Sequence, residues 1–156
     1  MATGNLSTPR TPMPTARGHL GLAEEGGLFY AIGGLTSANQ VTGLVEEYDP
    51  QADDWRTVLP LPSTRWRLTA AAIDGRVYAL GGVDDLGNTH AEVLRLAPPA
   101  VWVSALPLGL GRFSHATAAL DGIVHTTGGL LPSGLATAIH EVLDPATAQL
   151  YVMRKD

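Results

Sequence analysis

The chain has 156 residues, 45% of them hydrophobic and only 16% charged, with a formal net charge of -5. It is long enough for a domain with a real core, and its acidity excludes a nonspecific grip on phosphate backbones. The ten Lys and Arg residues form no basic stripe or tail, which speaks against nucleic acid, and the absence of Cys excludes disulfides and thiolate metal sites.

In chain order, residues 1–14 are polar and rich in Thr and Pro, without the apolar stretch of a secretory signal. No run approaches the ~18 apolar residues of a membrane span, so a soluble cytoplasmic protein is expected, with no membrane partner. Asn5-Leu6-Ser7 matches a glycosylation acceptor, which has no meaning inside a cell. The prolines at 9, 12 and 14 confine this segment to a sheet edge if it forms a strand. It reads either as an outer strand, vestigial or swapped, or as a loose tail.

From residue 17 the chain repeats. Gly-Gly pairs stand at 33–34, 81–82 and 128–129, and Arg17, Arg65 and Arg112 each lie 16 residues before the first Gly of a pair. An aromatic residue follows each pair at 20 to 22 residues, as Trp55, Trp102 and Tyr151. A shared period means one supersecondary unit used three times. In the first unit, Gly26-Gly27 marks a hairpin turn and Glu46 to Pro50 closes the third strand. In the second, residues 68–73 form a strand that ends at Asp74-Gly75, a pair suited to the positive φ angles of a tight hairpin. Strands over 76–80, 91–96 and 102–106 follow. In the third unit, Asp121-Gly122 and Leu143-Asp144-Pro145 repeat the pattern. Turns this short cannot carry parallel crossovers, so each unit is a four-stranded antiparallel meander. Each Arg is expected to begin the innermost strand of its unit. Such a sheet has two faces to bury and does so by stacking on neighbours around an axis.

The Arg-x15-Gly-Gly spacing, the Tyr before Gly-Gly (Tyr30, Tyr78), the Tyr48-Asp49-Pro50 and Asp144-Pro145 turns and the Trp opening the fourth strand resemble the kelch repeat family. The departures are His125 in place of the Tyr, Ala97-Pro98-Pro99 in place of the Asp-Pro turn, and Tyr151 in place of Trp. The resemblance implies an all-β fold: a kelch-type β-propeller with three four-stranded antiparallel blades, at 17–59, 65–106 and 112–154, in one domain over 15–154. Kelch propellers usually close with six or seven blades. A homodimer would therefore complete a six-bladed ring and remove both open ends. The competing reading is a fragment of a longer propeller.

The resemblance also places the usual ligand face at the channel mouth beside Arg17, Arg65 and Arg112, where guanidinium forks would bind carboxylates bidentately. The opposite reading is structural: each Arg bonds backbone carbonyls or a carboxylate and pins the blades. Trp66 and Arg67 occur in one unit only, which makes them better candidates for a specific contact. His19 and His115 lie near the starts of innermost strands, and Asp84 and Asp85 in the loop after the second Gly-Gly. His125 reads as a core residue, and His90 and His140 as surface residues. Glu46, Glu47, Glu92 and Glu141 on third strands read as solvated or paired with Arg. No histidine pair has compact metal-ligand spacing, and no nucleophile elbow, P-loop or zinc motif is present. No catalytic residue, metal or cofactor is assigned.

Two functions remain open. One is a non-catalytic interaction module for a protein, an acidic peptide or a small acid. The other is an enzyme acting on a small acidic compound, such as a sugar-acid mutarotase or isomerase, with His19 or His115 and Asp84 or Asp85 as acid and base.

Overall fold

A computed structural model describes residues 8–97, 100–147 and 149–153. The Asn5-Leu6-Ser7 triplet, residues 98–99 of the second-unit turn, the side chain of Tyr151 and residues 154–156 lie outside the described residues.

The described residues contain no helix, and thirteen strands pair throughout as antiparallel neighbours. The first sheet holds β1 (Arg17–Gly18), β2 (Gly21–Glu25), β3 (Leu28–Thr36), β4 (Val41–Asp49) and β5 (Asp54–Val58). The second runs β6 (Thr69–Ile73), β7 (Arg76–Leu80), β8 (Val93–Ala97), β9 (Val101–Ser104). The third runs β10 (Ala116–Leu120), β11 (Ile123–Thr127), β12 (His140–Asp144), β13 (Gln149–Met153). Each first hairpin closes on the expected pair. Asp74-Gly75 has φ of 51° and 72°, and Asp121-Gly122 has 50° and 80°. These are the angles of a turn whose twist matches its strands.

Two details differ from the sequence reading. Arg17 opens only the two-residue β1, and Arg65 and Arg112 lie ahead of β6 and β10 rather than opening them. Two residues beyond each arginine, His19, Arg67 and Ser114 sit at φ of 53–55° and turn the chain before the strand proper begins. Also, β3 does not stop at its Gly-Gly pair but continues to Thr36 through an irregularity between Ile32 and Gly34. An added residue bends a strand while letting the ladder resume.

The core lies between sheets. One cluster joins Ile32 and Val45 of the first sheet to Ala70, Ala79 and Leu94 of the second. Another joins Tyr78, Leu80 and Val93 of the second to Val124 and Leu143 of the third. Strand alternation sends neighbouring residues to opposite faces, so the middle sheet is buried on both sides. The outer faces of the other two carry Leu22 and Leu120, more than half exposed at 55% and 61%.

The left-handed residues have a purpose in this packing. The Arg67 amide donates to the His19 carbonyl at 2.8 Å, and the Ser114 amide to the Arg67 carbonyl at 2.9 Å. Two parallel series run beside them. Gly34 N–H donates to Arg65 C=O at 2.7 Å and Gly82 N–H to Arg112 C=O at 2.9 Å. Arg65 N–H donates to Thr42 C=O at 3.1 Å and Arg112 N–H to His90 C=O at 3.2 Å. Every sheet junction is thus stitched by the same three backbone bonds. Among the described residues, the Gly129 amide and the Ser114 and Thr137 carbonyls end these series on the third sheet. The Arg17 carbonyl and the Arg17 and His19 amides end them on the first.

Candidate functional site

The three repeated arginines are committed inside the protein. Arg17 donates to the carbonyls of Gly33 at 2.7 Å and Ala31 at 2.8 Å, and pairs with Glu46. Arg65 donates to Gly81 C=O at 3.2 Å and pairs with Glu92, while Arg112 donates to Ile139 C=O at 3.3 Å and pairs with Glu141. The Arg17–Glu46 and Arg112–Glu141 pairs are almost wholly buried, whereas Glu92 keeps 39% of its side chain exposed. Burial pulls the Arg112 pKa below the ordinary arginine value, and Glu141 opposes it. A desolvated guanidinium is held only where a carboxylate and carbonyls meet it. These forks therefore fasten the inner strand of each sheet to its third strand.

Nor does the structure join His19 or His115 to Asp84 or Asp85 by a hydrogen bond among the described residues. His115 is buried between the second and third sheets with Nε2 2.7 Å from Thr69 Oγ1, and its Nδ1 has no partner. Donation from Nε2–H leaves a bare lone pair rather than an orphaned N–H at Nδ1, the less costly choice. Burial, then the charge on Arg112, lowers the His115 pKa to about 4. Asp84 closes its own loop: it accepts from the Asn88 side chain at 2.9 Å, from the Asn88 and Leu86 amides, and contacts His90 Nε2 at 3.2 Å. Led by the Asn88 side-chain bond, these lower its pKa to about 2. Asp85 accepts from Thr64 Oγ1 at 2.7 Å, tying that loop to the preceding linker.

What does come together is a shelf at the Gly-Gly end of the inner strands. The Arg67 guanidinium lies 4.1 Å from the Trp66 ring centroid and 5.6 Å from that of Phe113. His19 meets Trp66 edge-on, at 5.6 Å and 79°. Trp66 bridges to Val83, which places it beside the loop after Gly81-Gly82. Left-handed geometry at Arg67 aims its side chain back across its neighbour's ring, a cation–π arrangement. Among the described residues this guanidinium has no carboxylate within ion-pair distance. Trp66, Arg67 and His19 were legible as candidates. Phe113 was not, although it occupies the position after Arg112 that Trp66 occupies after Arg65.

Comparison with known proteins bears on this arrangement. A kelch motif model matches residues 16–62. The chain is 36% identical over 89 residues to the mouse influenza virus NS1A-binding protein homolog, spanning 57% of this chain and 13% of that protein. It is 36% identical over 88 residues to an F-box/kelch-repeat protein of Arabidopsis thaliana, spanning 56% of this chain and 20% of that one. Bovine kelch-like protein 36 is 40% identical over 78 residues, spanning 47% of this chain and 13% of that protein. Each match thus covers a fifth or less of the relative's length. Among solved structures, YjhT superposes with a TM-score of 0.82 at 19% identity, over 94% of this chain and 55% of that one, which establishes a shared fold. The first repeat thus carries a kelch motif, and the chain is similar to kelch-repeat proteins.

Proposed function

We propose that this chain is a non-catalytic interaction module whose three sheets are propeller blades, and that two copies close a six-bladed ring. The shelf of exposed His19 and half-buried Trp66, Arg67 and Phe113 would line the mouth of its channel and take a carboxylate of an acidic peptide or small acid. The observation that carries the binding site is the state of Arg67, stacked on Trp66 and free of any described carboxylate, while Arg17, Arg65 and Arg112 are each paired with a glutamate of their own repeat. A guanidinium over an aromatic face is preorganised and offers its donors at little entropic cost. One relative is itself named for binding another protein, which supports the general role.

Ring closure is supported by the open ends of the backbone series. Gly129 N–H would donate to Arg17 C=O of the second copy, and its His19 and Arg17 amides to Ser114 and Thr137 C=O. The repeat boundaries 17–59, 65–106 and 112–154 would then be the blades. The absence of cysteine supports a cytoplasmic setting, and among the described residues no helix is long and apolar enough to cross a membrane. Catalysis on a sugar acid would need an acid and a base beside the shelf; His19 lies there, but His115, Asp84 and Asp85 are bonded elsewhere and leave it no partner among the expected residues.

Fluorescence anisotropy with a labelled penta-glutamate peptide tests the site. Wild-type protein should bind saturably, and Arg67→Gln should weaken binding roughly tenfold, the value of one charge-assisted contact. Equal affinity in the two proteins, or no saturable binding by the wild type, would sink the reading.

A further inference from the structure

We propose that the outer part of the gap between the second and third sheets is a separate binding site for a small organic carboxylate with a compact apolar body. It is independent of the shelf and of ring closure. A cavity of about 230 Å³ opens there, lined by Arg76, Tyr78, Arg95, Leu106, Leu143 and Pro145 among others.

The equivalent gap between the first and second sheets provides an internal template. There Tyr30, Glu47 and Arg56 lie side by side across β3, β4 and β5. Arg56 Nε donates to Glu47 Oε1 at 2.6 Å, and burial, then the hydrogen bond to Glu47, raises the Tyr30 pKa to about 12. Phenol, carboxylate and guanidinium thus satisfy one another. In the second sheet the same row reads Tyr78, Arg95 and Val103. The phenol remains, the carboxylate has become a guanidinium, and the apolar Val103 stands where Arg56 did. Arg76, next to the Asp74-Gly75 turn, adds another cation. Among the described residues neither guanidinium has a carboxylate within ion-pair distance, and Tyr78, on the cavity wall, has no neighbouring carboxylate in its row as Tyr30 does.

A chain with net charge -5 thus concentrates two uncompensated cations and a phenol donor around one cavity. A carboxylate arriving from solution would stand in for Glu47, accepting from the Tyr78 hydroxyl and from the forks of Arg76 and Arg95. Apart from Ser104, the rest of the wall (Ala105, Leu106, Leu143 and Pro145) is apolar and favours a hydrocarbon or aryl body over a hydrated ion.

Amide NMR titration of the full chain with benzoate tests this, with acetate and inorganic phosphate as comparators. Benzoate should shift the amides of Arg95 and Leu106 saturably, with acetate and phosphate each at least roughly tenfold weaker. Arg95→Gln should weaken benzoate roughly tenfold and the Arg76→Gln/Arg95→Gln pair should abolish the shifts, while the remaining spectrum stays that of the folded protein. Arg67→Gln should leave these shifts intact. The proposal is overturned if wild type shows no saturable shifts there, if acetate or phosphate matches benzoate, or if only Arg67→Gln removes them.

Discussion

The side chains of Arg112 and Glu141 form an ion pair with both groups almost wholly out of water. Glu141 also accepts from the Gly109 amide at 2.7 Å, so the pair ties the incoming linker, the inner edge and the third strand of one sheet together. Such a pair adds little over an apolar substitute, but losing one member leaves a buried charge alone. Arg112→Ala or Glu141→Ala should cost about 3–5 kcal/mol in urea unfolding. Glu92→Ala should cost clearly less, because Glu92 is 39% exposed and water can take its place beside Arg65. Equal losses at the two sites would remove the role of burial.

The glycines separate fold from assembly. A Cβ on Gly33 or Gly81 would strike the carbonyl of Arg65 or Arg112 on the next sheet, whereas one on Gly128 would come no nearer than 3.7 Å to any atom, the Thr137 carbonyl. All three have φ between 60° and 66°, so they share the strain of an added side chain. Gly33→Ala and Gly81→Ala should therefore destabilise the monomer more than Gly128→Ala. If two copies close a ring, Gly128 would face Arg17 of the other. Light scattering should then give twice 16.3 kDa for wild type and a folded monomer for Gly128→Ala. A stable wild-type monomer would exclude the ring of two chains.

His115 makes stability depend on pH in a defined window. Its folded pKa of about 4 lies below the ordinary histidine value of 6.5, so between these values the unfolded chain binds the extra proton. Stability is complete above that window and falls as pH drops from about 6.5 to about 4, by up to about 3 kcal/mol. Asp84 has the other signature. Its pKa of about 2 against 3.8 puts its loss between about pH 4 and pH 2. Unfolding curves for His115→Gln should flatten in the upper window and keep the lower one. An unchanged slope between pH 6.5 and 4 would show that His115 is not held neutral.

The aromatic anchors of the inter-repeat segments should be equivalent. Trp102 Nε1 donates to the Leu59 carbonyl at 3.0 Å, and Trp55 Nε1 to the Thr11 carbonyl at 2.9 Å. Thr11 thus lies on the first sheet as Leu59 lies on the second, and its amide donates to Asp53 at 3.0 Å. Removing residues 1–12 should expose the tilted rings of Tyr48 and Trp55, whose centroids lie 4.9 Å apart, and shift tryptophan fluorescence to the red. No shift would mean that the segment does not cover them.

The sequence by itself determined the repeat, the hairpins and the antiparallel sheets, because these depend on contacts within a few residues. Asp74-Gly75 and Asp121-Gly122 dictate their turns wherever they occur, and the alternation after them dictates which residues share a face. Only the tertiary structure decided where the charged forks point. Arg65 and Arg67 are two residues apart, yet one is buried against Glu92 and the other lies over Trp66. The left-handed turn at Arg67 and the carboxylate 27 residues after Arg65 make that difference. The Glu47-to-Arg95 exchange between sheets gains meaning in the same way, once strand register sets each beside its tyrosine. Long-range pairing fixes such environments, and a linear pattern read over a few residues does not contain them.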